Sequence, residues 1–279
     1  MTLQAIDYQA ENAPGLFVES LKHFGFGVLK NHPIPVSLVE SIYQEWQLFF
    51  SSDIKYDFHF SPETHAGFFP IEVSETAKGY SLKDIKEYFH YYTWGQCPDE
   101  LRPHLDAYHQ QATALASELL SWVEAHSPAD IAAHYSQPLS SMITGSQRNL
   151  LRVLHYPPLQ GDEPPGAIRA AAHEDINLLT LLPASNERGL QVKTENGVWL
   201  DVPCDLGLLI VNTGDMLQEA SGGYFPSTTH QVINPTEADK ARSRIALPLF
   251  LHPRSEVVLS ARYTAESYWE ERMIELGVM

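Results

Sequence analysis

The sequence predicts a mainly β fold with flanking helices, in which a helical N-terminal region covers a core of two β-sheets closed into a roll or barrel. Three observations carry this expectation. From about residue 149, short apolar runs alternate with Gly, Pro and Asn turn signals. Many short, evenly spaced strands suit a two-sheet roll. Before that point, residues 36–50 and 104–126 repeat apolar side chains at helical spacing.

Gly25-Phe26-Gly27-Val28-Leu29 reads as a strand stopped by Asn31-His32-Pro33. In 36–50, Val36, Val39, Ile42, Tyr43, Trp46, Phe49 and Phe50 form an apolar stripe, with Ser37 as the expected cap. Residues 51–98 read as irregular and aromatic-rich: Phe58, Phe60, Phe68, Phe69, Tyr80, Tyr88, Phe89, Tyr91, Tyr92 and Trp94. The long helix over 104–126 turns Leu105, Tyr108, Ala112, Leu115, Leu119 and Val123 inward. Leu150 to Tyr156 forms a strand that stops at Pro157-Pro158. Gly189–Lys193 and Val198–Val202 form a hairpin around a Thr-Glu-Asn-Gly turn. Leu206 to Thr213 is a buried strand ended by Gly214-Asp215, and Gly222-Gly223 is a turn. Arg244 to Leu251 is a last strand closed by Pro253. Thr264 caps a final helix over 264–276, with Tyr268, Met273 and Leu276 inward. The chain thus divides into an N-terminal α/β region (1–100), a long helix and connection (101–148), the roll (149–255) and a C-terminal helix (256–279), the first region forming part of one compact unit.

Composition narrows the function classes. The 279 residues are 44% hydrophobic and 19% charged, ordinary for a globular chain. The net charge of −17 repels a polyphosphate, and the basic residues are scattered, so no nucleic-acid partner is expected. No apolar run reaches the length of a membrane helix. Met1 to Asp7 has neither the basic nor the apolar region of a secretion signal. Cys97 and Cys204 alone do not make a disulfide framework, and a cytoplasmic protein is expected.

The chemistry centres on His173-Glu174-Asp175 and a later His230. On a strand, residues 173 and 175 project to one face and Glu174 to the other. On a helix they would stand about 200° apart and could not share an ion. The apolar run from Ile176 to Leu182 favours the strand. His230 opens a second strand, Gln231-Val232-Ile233, that a roll can bring opposite the first pair. Two neutral imidazoles and one carboxylate on one side of a metal leave the remaining positions open, the donor set of non-haem Fe(II) oxygen chemistry. His155 and His252 lie in apolar strands and read as core residues. HExxH and CxxC, the usual zinc signatures, are missing.

Together these residues resemble the 2-oxoglutarate/Fe(II)-dependent dioxygenases of the isopenicillin N synthase-like family, over nearly the whole chain. Ile6-Asp7, Gly25-Phe26-Gly27, Asn31-His32-Pro33-Ile34 and Phe49-Phe50 match its N-terminal order. Gly67-Phe68-Phe69-Pro70, Glu75-Thr76-Ala77-Lys78-Gly79 and Asp84-Ile85-Lys86-Glu87 look like its bacterial members. Tyr156-Pro157, Ala172-His173-Glu174-Asp175, Gly189-Leu190-Gln191-Val192, Asn212-Thr213-Gly214-Asp215, Ser227-Thr228-Thr229-His230 and Arg244 follow in family order. The resemblance implies a double-stranded β-helix, or jelly roll, with His173, Asp175 and His230 on iron. It implies that Arg244 and Tyr156 hold the distal carboxylate of 2-oxoglutarate. A planar guanidinium suits a carboxylate on independent grounds.

Several positions depart from the family pattern. The usual motif is Arg-x-Ser, with the serine also on the cosubstrate. If Arg242 were the anchor, Arg244 would take the serine place; if Arg244 is the anchor, Ala246 does. The second register is preferred because it aligns Phe250 and Pro253. Losing one hydrogen bond to a charged group costs roughly 1.5–3 kcal/mol unless another donor, such as Thr180 or water, replaces it. Gln231, Thr229 and Leu154 also differ from common family residues.

The expected activity is an Fe(II) oxygenase that couples 2-oxoglutarate decarboxylation and O2 to hydroxylation or desaturation of a small molecule, with ascorbate as an optional reductant. The alternatives are an Fe(II) oxidase of the same fold that does not use 2-oxoglutarate and, more remotely, a non-catalytic metal-binding protein. The aromatic stretch is expected at the mouth, with Phe68, Phe69 and Tyr91 as candidate substrate contacts. The spacing carries no signal for an oligomeric state.

Overall fold

Two β-sheets face each other across the site, and the helices back the larger one. The computed structural model describes residues 3–73, 82–185 and 187–275; the Glu75-to-Gly79 motif, Tyr80 and Leu276 lie outside them. The strands are β1 (Ala5–Asp7), β2 (Phe26–Lys30), β3 (Gly67–Phe69), β4 (Glu87–Tyr91), β5 (Leu150–Tyr156), β6 (Ala170–His173), β7 (Leu179–Pro183), β8 (Leu190–Lys193), β9 (Trp199–Asp201), β10 (Leu209–Thr213), β11 (His230–Val232), β12 (Arg244–Ala246) and β13 (Leu249–Leu251). The helices are α1 (Ala13–Phe24), α2 (Val36–Phe50), α3 (Arg102–His126), α4 (Ala129–Ala132), α5 (Leu139–Ile143), α6 (Asp215–Ala220) and α7 (Ala265–Glu275).

The larger sheet runs β1-β2-β10-β7-β13-β5-β4-β3, with β12 also on β5; the smaller runs β6-β11-β8-β9. This is the jelly-roll core expected from the sequence. The pleat sorts side chains by parity. Leu151 and Val153 of β5, Leu181 of β7 and Leu209 and Val211 of β10 join Leu105, Ala112, Leu115 and Leu119 of α3 in a helix-side core. Leu154 and Tyr156 of β5, Ala246 of β12, Phe26 and Val28 of β2 and Val192 and Val232 of the smaller sheet form a second cluster between the sheets. The metal-site residues lie on this inner side. Among the described residues, no helix is long and apolar enough to cross a membrane.

Several local expectations change. The 51–98 stretch is not simply irregular: β3 and β4 extend the large sheet from β5. Their three to five residues are too short for a visible alternation; β5 supplies the ladder partners of β4, and β4 those of β3. Ser37 does not cap α2. Pro35 occupies the cap position and its carbonyl accepts from Leu38 N at 3.1 Å. Leu206 and Gly207 form a turn, with Gly207 at φ +85°, and β10 begins at Leu209. The 244–251 run is split into β12 and β13 by Pro248, which lacks an N–H, yet both pieces keep one register on β5. α6 follows Gly214, where only a strand end was expected. Thr264 does cap α7: its hydroxyl accepts from Ser267 N at 3.2 Å.

Candidate metal centre

Antiparallel pairing of β6 and β11 sets His173 directly opposite His230, which brings their rings to 4.4 Å between centroids. His173 is the last residue of β6, so Asp175 lies beyond the strand, contrary to the strand reading of the triplet. A turn brings it back to the same point. Asp215 N at the start of α6 donates to the Asp175 carbonyl at 2.7 Å, and Met216 N donates to Asn177 O at 3.0 Å. These are first-turn N–H groups with no partner inside their own helix. Glu174 turns outward, as expected, and accepts from the Thr229 hydroxyl.

Oδ1 of Asp175 lies 3.9 Å from His173 Nε2 and 3.8 Å from His230 Nε2. Donors about 2.1 Å from one ion stand at most about 4.2 Å apart, so both pairs can bracket a divalent cation. The three donor atoms lie within 4.8 Å of one another. His173 Nδ1 donates to Ala171 O at 2.7 Å, and His230 Nδ1 to Thr228 O at 3.1 Å. That tautomer turns a bare Nε2 lone pair toward the centre on each ring. Burial, then neighbouring His230, lowers the His173 pKa from the ordinary imidazole value, which favours the neutral ring. Burial acts to raise the Asp175 carboxyl. His230, His173 and the hydrogen bonds from Thr180 and Asn212 outweigh it and keep the group a carboxylate. Its Oδ2 accepts from Thr180 Oγ1 at 2.5 Å and from Asn212 Nδ2 at 2.8 Å, while Asn177 Nδ2 donates to Thr180 at 2.8 Å. One carboxylate oxygen is thereby saturated and the other faces the imidazoles. The donor set fits a divalent metal.

Arg244 sits opposite Tyr156 in the β12–β5 register, its guanidinium 5.2 Å from the ring centroid. It is buried, and its Nε and Nη1 have no hydrogen-bond partner among the described residues. The Arg242 side chain, by contrast, is 66% exposed and faces Glu187 and Asp239. Ala246 follows on the inner side, opposite Leu154. Thr180 is not the replacement donor, since its hydroxyl is committed to Asp175.

The aromatic candidates divide by parity. Phe68 and Tyr91 do not reach the mouth; they lie in the helix-side core, Phe68 against Phe49 and Phe50, and Tyr91 donating to Asp106. Phe69 points to the inner side and stacks on Tyr88 at 4.6 Å. Tyr88, His90 and Arg152 share that face, with Arg152 Nε donating to His90 Nε2 at 3.0 Å and its guanidinium 4.7 Å from the Tyr88 ring. Sequence reasoning missed Tyr88 and His90 because their segment shows no readable strand, and Arg152 because the strand that holds it was legible but not which of its faces turns inward. His155 is a buried core residue as expected and bonds Glu87 at 2.7 Å, whereas His252 is only partly buried, its desolvation pushing it down to about 4.

Comparison with known proteins follows this geometry. Residues 147–253 match the 2OG-Fe(II) oxygenase superfamily, and residues 11–113 match the N-terminal region of non-haem dioxygenases in morphine synthesis. The chain is 29% identical over 252 residues to 2-oxoglutarate-dependent dioxygenase 11 of Oryza sativa subsp. japonica, covering 86% of this chain and 66% of that one. It thus spans just under two thirds of that relative's length. The crystal structure of a candidate oxygenase from Shewanella oneidensis superposes with a TM-score of 0.91, 60% identity and full coverage of both chains. A full-length Neurospora crassa protein crystallised in complex with alpha-KG shares the fold at 22% identity and a TM-score of 0.79, over 98% of this chain and 95% of that one. Identity of 60% over the full length of the Shewanella oxygenase, with both the roll and the region before it matched, makes this chain a member of the 2OG-Fe(II) oxygenase superfamily.

Proposed function

We propose that the protein is a non-haem Fe(II) oxygenase that couples 2-oxoglutarate and O2 to the hydroxylation or desaturation of a small organic molecule, releasing succinate and CO2. The observation that carries this reading is the convergence of two Nε2 lone pairs and one carboxylate oxygen, with every other polar atom of the three groups already bonded inward. His173, Asp175 and His230 would hold the iron, and the bound ion supplies the activation of O2. Arg244 and Tyr156 would orient the cosubstrate through its distal carboxylate. The single negative charge of Asp175 leaves the site cationic overall, which suits an incoming oxoacid.

The substrate would lie against Phe69 and Tyr88, so it has an apolar or aromatic body; Phe68 and Tyr91 support that wall from behind. The segments 1–100, 101–148, 149–255 and 256–279 would act as one catalytic unit in the cytoplasm, in keeping with two free thiols at Cys97 and Cys204. Ascorbate serves as an optional reductant. No observation favours the oxidase that omits 2-oxoglutarate, and the unpartnered nitrogens of Arg244 speak for an acidic cosubstrate. Purified protein given Fe(II), ascorbate and 2-oxoglutarate should form succinate slowly without substrate, and His173→Ala should stop it. Equal turnover by both proteins would reject the assignment.

A further inference from the structure

Arg169 is buried to 1% exposure just before β6, on the chain that leads to His173. Its guanidinium lies 5.8 Å from the centroid of the Tyr156 ring, and that of Arg244 lies 5.2 Å from the same centroid. Two cations are therefore buried around one phenol. Nη2 of Arg169 donates to Arg242 O at 2.9 Å, which fixes the side chain in place. Nε of Arg169, with Nε and Nη1 of Arg244, has no hydrogen-bond partner among the described residues. Neither arginine makes a close ion pair with a described carboxylate; the nearby Glu187 faces Arg242 at 3.7 Å.

Burying a guanidinium without an anion is costly, and burying two side by side is costlier. Burial first, and then Arg244, make the charged form of Arg169 harder to hold. Such an arrangement is offset when a ligand supplies the missing negative charge. A carboxylate accepts through two oxygens and can take N–H donors from two forks at once. The inner side chain that follows Arg244 is Ala246, which offers no hydroxyl, so a further donor has to come from another element.

We propose that Arg169 is a second anchor for the distal carboxylate of the oxoacid cosubstrate, closing on it together with Arg244. This rests on the 2-oxoglutarate reading above. A dicarboxylic oxoacid is then selected over a monocarboxylic one, because only the former brings a distal carboxylate that can accept from both guanidiniums.

The test is calorimetric titration of anaerobic protein loaded with Mn(II) in place of Fe(II), with 2-oxoglutarate and with pyruvate, which lacks the distal carboxylate. Arg169→Met should weaken 2-oxoglutarate binding on the order of tenfold or more and leave pyruvate binding as in wild type. Arg169→Lys, which keeps the charge but not the fork, should fall between. Equal loss for both acids, or loss for neither, would overturn the proposal. Should Arg169→Met not fold, Arg169→Lys alone decides by the same comparison of the two acids. A wild type that binds neither acid would instead sink the cosubstrate reading itself. Wild-type binding with loss in Arg244→Met but not in the Arg169 variants would remove Arg169 only.

Discussion

Thr180 and Asn212 determine which oxygen of Asp175 is left for a metal. Both donate to Oδ2, and Asn177 in turn orients Thr180. A ligand held this way loses little freedom on binding and keeps its charge. Thr180→Val preserves shape and removes the donor. It is expected to weaken Fe(II) or Mn(II) binding about 10–100-fold while leaving the fold intact, as read by metal titration alongside circular dichroism. An unchanged affinity would mean that the Asn212 bond alone sets the carboxylate. The triad residues themselves were readable as types and spacing. Their tautomers and partners were not, because a hydrogen bond to Ala171 O or Thr228 O depends on where the backbone bends.

At the level of elements, the loop before His230 is fitted to the end of α1. Gly25 caps that helix at φ +65°, and a Cβ there would stand 2.2 Å from Thr228 Oγ1 and 2.6 Å from Pro226 O. Thr228 O is the acceptor that sets the His230 ring. Gly25→Ala therefore combines a left-handed backbone with a close approach that backbone atoms cannot relieve. The expected cost is roughly 2 kcal/mol or more, measured by chemical denaturation, together with weaker metal binding. Loss of stability with metal affinity untouched would show that the loop moves without carrying His230. The glycine was visible as part of a strand motif; that it marks the end of a helix was not. Periodicity served the long elements well, since α2, α3 and β5 each repeat often enough to show it. It failed for β3, β4 and α6, whose few residues take their structure from neighbours.

Across the whole molecule, the site is built from both sheets. His173 and His230 come from the smaller sheet, Asp175 from the turn that crosses to β7, and Arg244 and Tyr156 from the larger sheet. A metal at the triad ties these parts together, so its binding adds to global stability. Saturating Mn(II) at about a hundred times its dissociation constant should add about 2.7 kcal/mol. That corresponds to a rise of roughly 5–10 °C in melting temperature for a chain of this size. A chelator should reverse the rise, and a His173→Ala, Asp175→Ala double variant should show none. A similar rise in that variant would place the stabilising metal elsewhere.

Residue types, order and periodicity were enough to determine the roll, its long backing helix and the three metal-ligand candidates, since hydrophobic period and donor chemistry are local properties of a chain. Which aromatics face the site, which arginine is buried, and how Asp175 reaches the imidazoles were decided only by the folded molecule. Those choices depend on strand parity, on the register of β5 and on a turn held by α6, and each of these is set by partners distant along the chain.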